Sequence, residues 1–159
     1  MKTIGDFTDS ERVRGVMGFT ERDLSDDQIL SMQLNIELSV ELYKWFPTSA
    51  TSYDTWYNGG SPTAEDQNNI NLLLSYCTYQ AAYLVSLGLE MIAQRSVTDS
   101  KMTMSRYSNV DLPAIRDRMQ GRADSAKATL ASSLSLTLDE SVPTLFSSTQ
   151  PGFDPVVGS

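Results

Sequence analysis

The sequence predicts a mainly α chain: a helical bundle of about four helices with a small β-strand or hairpin element and an extended C-terminal tail. Three observations carry that reading. The stretch from Ile70 to Leu89 runs for twenty residues without a charge, long enough for a central helix. Capping signatures open three further segments of helical apolar spacing. From Val97 to Tyr107 the period changes to alternation, and beyond Ser132 prolines space an apolar, poorly charged tail.

Thr8, Asp9, Ser10 and Glu11 read as a capping box, in which the Thr8 hydroxyl accepts from the amide three residues on and Glu11 reaches back. The short helix that follows closes at Gly18, a residue tolerant of positive φ. Val13, Val16 and Met17 form its docking patch. Ser25, Asp26, Asp27 and Gln28 form a second box, with two acids placed to complement the helix dipole. The helix they open runs to about Phe46 and Pro47 and carries two apolar stripes. Ile29, Met32, Ile36, Val40 and Tyr43 share one side, and Leu30, Leu34, Leu38, Leu42 and Trp45 lie nearly opposite. Gln33, Glu37, Glu41 and Lys44 make a charged ridge between them.

Residues 47–61 read as a loop by composition, turning at Asn58, Gly59 and Gly60. Tyr53, Trp56 and Tyr57 make it aromatic, either as a flap over the protein's own core or as a contact surface for a partner. Ser61 or Thr63 caps the central helix, with Pro62 suited to its first turn, and that helix continues to about Gln94. Its projection shows an apolar stripe (Ile70, Leu73, Leu74, Cys77, Ala81, Leu84, Val85), an aromatic one (Leu72, Tyr76, Tyr79, Tyr83, Leu87) and a small polar one (Asn71, Ser75, Thr78, Ser86). Two apolar stripes imply packing on more than one side. Leu73, Cys77, Ala81 and Leu84 are assigned to the core. A membrane span is the alternative for such a run, but polar residues interrupt it and no basic cluster flanks it, so no membrane is expected.

In KMTMSRY, Met102, Met104 and Arg106 point one way and Lys101, Thr103, Ser105 and Tyr107 the other. A lone strand needs a partner, either a hairpin mate turning near residues 98–100 or another chain. Asp111 then caps a helix with Pro113 in its first turn. Its inward face is Ile115, Met119, Ala123, Ala126 and Leu130, and its outer face is rich in arginine. The final segment opens with alternating Leu134, Leu136 and Leu138 and goes on to Leu145, Phe146, Phe153, Val156 and Val157. It either wraps its own domain or adds a strand to another chain. Residues 1–131 thus form one helical domain, and 132–159 an extended docking tail.

The 159 residues carry a net charge of −8, which argues against a phosphate-binding surface. The charge is unevenly placed. Residues 1–92 hold 13 acids and 5 bases, residues 93–127 hold 4 acids and 7 bases, and residues 128–159 hold 3 acids and no base. That polarity favours head-to-tail contacts between copies, or else a solvated basic face. A single cysteine cannot form an internal disulfide, and the opening MKTIGDFTDS lacks a secretory apolar region, so a reducing cytoplasm is expected.

Histidine is absent. That removes the commonest general base near neutral pH, the Ser-His-Asp and Cys-His arrangements and the commonest zinc ligand. No glycine-rich phosphate loop occurs, and Asp26 with Asp27 suits a helix start better than acid/base work. The chain is expected to be no enzyme and to need no cofactor or metal.

In order, the pattern is a short capped helix with VRGVMGFTERDLSDDQI, a long helix, a polar loop, a long Ala/Tyr-rich helix, an extended SVTDSKMTMSRYS and a last helix DLPAIRDRMQGRADSAKATL. Over roughly Thr8 to Leu130 it resembles the head-tail connector (adaptor) proteins of tailed double-stranded DNA phages and their prophage and gene-transfer-agent relatives. The most suggestive matches are Val13-Arg14 with Gly18 ahead of Leu24 to Ile29, and the strand-like Val97 to Tyr107 between the last two helices. The aromatic loop and the proline-spaced tail depart from the pattern.

The resemblance implies a structural virion protein in the neck, assembled in the host cytoplasm. It implies a ring of identical subunits, dodecameric if it follows portal symmetry, between the portal protein and the tail or a second neck protein. Double-stranded DNA would pass through its lumen without sequence-specific binding. On that reading Lys101, Met102, Met104, Arg106 and Tyr107 contribute to subunit contacts, and Leu134, Leu136, Leu138, Phe146 and Phe153 dock onto the portal or neck partner. The alternative is a small cytoplasmic helical regulator or binding module that uses residues 53–57 as its ligand contact.

Overall fold

The computed structural model describes residues 7–29, 31–96 and 110–138, without the side chains of Met32 and residues 90–96. Among them are six helices: α1 (Ser10–Met17), α2 (Asp26–Ile29), α3 (Met32–Trp45), α4 (Ser49–Asn58), α5 (Ala64–Ser96) and α6 (Leu112–Ser133). The mainly α class holds. The small β element is not supported: the described residues contain no strand, and Lys101 to Tyr107 lie outside them.

Helix α5 is the axis of the fold. Its 33 residues extend about 50 Å, and α1, α3, α4 and α6 all pack on it, α6 most extensively. The Ser133 hydroxyl, at the end of α6, donates to Asn69 Oδ1 near the start of α5 at 2.8 Å, so the two long helices run antiparallel. Leu73, Cys77, Ala81 and Ala82 of α5 are wholly buried, as are Ala123 and Leu130 of α6. Small side chains on both helices let their backbones approach closely. By length and hydropathy alone, 64–89 would suffice to cross a membrane. About half of that stretch is buried by the protein's own helices.

A buried hydrogen bond ties the N-terminal segment to this axis. Thr78 Oγ1 donates to the Leu74 carbonyl at 2.8 Å, which uses its one proton, so in the 2.8 Å contact between the two hydroxyls Thr8 is the donor. Thr8 is therefore not the cap expected for the first helix. That role falls to Asp9, whose carboxylate accepts from the Arg12 amide at 2.8 Å. Gly18 closes α1 at φ 78°, as its sequence position predicts.

Three other expectations need correction. The helix opened at Ser25 breaks after Ile29 and restarts at Ser31, whose extended backbone and hydroxyl cap α3 through the Leu34 amide at 3.3 Å. In one continuous helix Ile29 and Leu34 would point about 140° apart; the break lets both be buried. Residues 47–61 are not all loop, because α4 forms within them. Tyr53 and Trp56 fall on one face at helical spacing and pack on the core, with Phe7 edge-on to Tyr53 at 5.4 Å and Phe46 against Trp56 at 6.1 Å. The expected turn follows, with Gly60 at φ 115°. Pro62 precedes the cap of α5 rather than entering its first turn: Thr63 and Asp66 bond each other's amides at 3.1 and 2.9 Å.

Helix α6 starts as predicted, with the Asp111 carboxylate accepting from the Ala114 amide at 3.0 Å. It ends in a Schellman arrangement: Ser135 takes φ 53°, and the Leu136 amide reaches the Ala131 carbonyl at 2.8 Å. Past this cap residues 136–138 take no regular secondary structure. Leu134, Leu136 and Leu138 are half-buried against the core while Ser133, Ser135 and Thr137 are exposed. The alternation thus lays the start of the tail on its own domain. Phe146 and Phe153 lie outside the described residues.

Replacing Leu73 by Ala should lower the unfolding free energy by about 2–5 kcal/mol, whereas Ile36→Ala should change it by less than about 0.5 kcal/mol, both read from urea titrations of the purified chain. Similar losses at the two positions would contradict the assignment of inner and outer faces.

Candidate functional site

The site begins with the two stripes of α3. Leu34, Leu38, Leu42 and Trp45 turn inward and are buried, so the opposite stripe is forced outward: Ile36 is 49% and Val40 48% exposed. On a helix surface these two stand one turn apart, as a pair of apolar knobs.

Beside them a groove of about 550 Å³ runs between α3, α5 and α6. Tyr76, Gln80, Tyr83, Leu84 and Leu87 come from α5; Ile36, Glu37, Val40 and Glu41 from α3; Gln120, Asp124 and Lys127 from α6. Half-buried Leu84 and Leu87 make part of the lining apolar, and three carboxylates against one ammonium leave it acidic. Glu37 accepts from Gln33 Nε2 at 2.8 Å, and Glu41 pairs with Lys44 at 2.5 Å. Lys127 Nζ stands 5.7 Å from the centre of the Trp45 ring, within cation–π range.

Tyr76 meets Trp45 edge-on at 5.0 Å. Burial holds its hydroxyl well above the usual tyrosine range, so it stays protonated and acts as a neutral wall. Burial likewise pushes the Cys77 thiol up, which keeps it a small core residue rather than a nucleophile. Among the described residues no three His, Cys, Asp or Glu side chains are grouped to hold a metal ion. The groove offers shape, apolar surface and charge.

The structure separates the residues singled out from sequence. Leu73, Cys77 and Ala81 lie in the core, while Leu84 reaches the groove. Lys101, Met102, Met104, Arg106 and Tyr107 lie outside the described residues. Of the aromatic trio, Tyr53 and Trp56 pack on the core and Tyr57 stays 61% exposed, stacked on Tyr53 at 5.8 Å. Asp26 is paired as well as placed at a helix start. The Arg14 guanidinium, 2.5 Å away, also donates to the Leu24 carbonyl at 3.3 Å, joining α1 to the turn before α2. Sequence reasoning missed Ile36 and Val40 as an outer face. The signal was there in the two opposed stripes, but not which of them faces inward.

Comparison with known protein families, curated proteins and solved structures gives no match to this chain.

The hydrogen bond from Arg14 holds the Asp26 carboxyl below its usual value of 3.8. Its stabilisation is therefore complete above that value and is lost as pH falls through the lower folded value. The stability gap between wild type and Arg14→Gln should narrow between pH 7 and pH 3, measured as urea midpoints; a gap that stays constant would mean that the pair does not contribute.

Proposed function

We propose that this chain is a structural, non-enzymatic assembly protein that forms a ring between the portal of a tailed double-stranded DNA phage and its tail or next neck protein. The observation that carries the reading is the outward apolar face of α3. Ile36 and Val40 sit beside an acidic groove, on a helix whose other stripe already fills the core. A helix with two apolar faces asks for two partners, and its own subunit supplies one. The element order that resembles head-tail connectors adds the setting, the virion neck, after assembly in the host cytoplasm.

The remaining parts suit that role. The net charge of −8 repels phosphates and would let double-stranded DNA pass without sticking. Leu134, Leu136 and Leu138 anchor the start of the tail to the domain, and the apolar residues beyond them, Phe146 and Phe153, are assigned to the portal or neck partner. Lys101 to Tyr107, with two bases and two methionines, supply further subunit contact. No cofactor enters this role.

Deleting the gene from the phage that encodes this chain should yield DNA-filled heads and separate, complete tails, counted by electron microscopy of the lysate. Joined, infectious particles at the wild-type yield would overturn the neck assignment. Truncation after Leu138 should leave the circular dichroism spectrum of the domain unchanged and abolish binding to the purified portal; full binding would remove Phe146 and Phe153 from the contact.

A further inference from the structure

We infer that the outward face of α3 docks onto the arginine face of α6 in a second copy of the same chain, head to tail. The inference deepens the proposed ring by naming its two surfaces, and it rests on self-assembly alone, not on the position in a neck.

The two faces match in charge and spacing. On α3, Ile36 and Val40 are one turn apart, and Glu37 and Glu41 are one turn apart beside them. On α6, Arg118 and Arg122 are exposed at the same separation, about 6 Å along the axis. Among the described residues neither arginine has an ion-pair partner. Next to them Gly121 and Ser125, also one turn apart, are exposed and carry little bulk, and a Cβ placed at Gly121 would meet nothing within 4 Å. The isoleucine and valine of one copy thus have a shallow bed on the next, flanked by guanidiniums for the two carboxylates. On both helices the charged pair lies on the same rotational side of the uncharged one, so an antiparallel crossing brings Glu37 to Arg122 and Glu41 to Arg118.

Placement makes the contact heterologous. Gln120, Asp124 and Lys127 of α6 line the groove beside α3, and Arg118 and Arg122 project from α6 at about 120–180° from them. The donor face and the receptor face therefore lie on opposite flanks of one subunit. A copy that uses one leaves the other open, and repetition of such a contact closes into a ring or continues as a filament. A two-fold dimer of α3 faces would instead set Glu37 and Glu41 against their own copies, which like charge disfavours.

Disulfide trapping tests this with the full chain at millimolar concentration, using copper phenanthroline as oxidant. Ile36→Cys mixed with Ser125→Cys, which the antiparallel register sets nearly opposite each other, should give cross-linked dimers at least fivefold above either variant alone, and Ile36→Cys/Ser125→Cys in one chain should give a ladder. Arg118→Glu/Arg122→Glu should abolish the link, and Glu37→Arg/Glu41→Arg in the partner should restore it. Circular dichroism checks that each surface variant stays folded. The inference is overturned if Ile36→Cys alone links as well as the mixture, or if the mixture links no better than a Glu65→Cys control. It is also overturned if charge reversal changes nothing. A positive link with an intact neck in the gene deletion would sink the neck reading and keep this contact; separated heads and tails without the link would do the reverse.

Discussion

The fold depends on enclosing one uncharged helix. Between Ile70 and Leu89, α5 has no ionic group to present to water, so each of its faces needs apolar cover or a satisfied hydroxyl. Helix α6 covers one side along most of its length, and α1, α3 and α4 cover others. The polar residues within the run are accommodated by hydrogen bonds: Thr78 and Ser86 return their protons to the carbonyls of Leu74 and Tyr83, and Thr78 also accepts from Thr8, so both can be buried. Small residues at the contact, Cys77, Ala81, Ala82 and Ala123, bring the helices near, and the large ones (Leu73, Phe46, Met119 and Leu130) fill the remaining space.

That enclosure decides what is left for function. Once α3 has given Leu34, Leu38, Leu42 and Trp45 to the core, its second stripe has only the outside to face. Helix α6 in turn gives Met119, Ala123, Ala126 and Leu130 to α5 and keeps its arginines outside. The surface chemistry of the subunit is the remainder of the core's demands, acidic and apolar on one flank and basic on another. A protein so divided is suited to meeting copies of itself.

Much of this was legible in sequence wherever a signal was local and repeated. The central helix, the Gly18 stop, the Asp111 start and the inward residues of α6 all follow from caps and period. What was not legible depended on tertiary competition. Ser31 gives no strong break signal, yet the core wants both Ile29 and Leu34, and the helix yields. The Ser/Thr-rich stretch of α4 has the composition of a loop, and only the packing of Tyr53 and Trp56 makes it helical. Thr8 could cap its helix or meet Thr78; proximity to α5 chose the second. The alternating leucines after Ser132 lie half-buried on their own core, a choice that periodicity alone leaves open. The groove was hidden for a related reason: its lining comes from three helices far apart in sequence, and the orientation of α3 was undetermined until α5 selected a face.

The most direct measurement is a cryo-EM reconstruction of the particles whose genome encodes this chain. The account predicts ring density beneath the portal into which α5 and α6 fit as an antiparallel pair, with Ile36 and Val40 of each copy covered by α6 of the next. A neck without this chain, or one in which the outer face of α3 stands open to solvent in every copy, would contradict it.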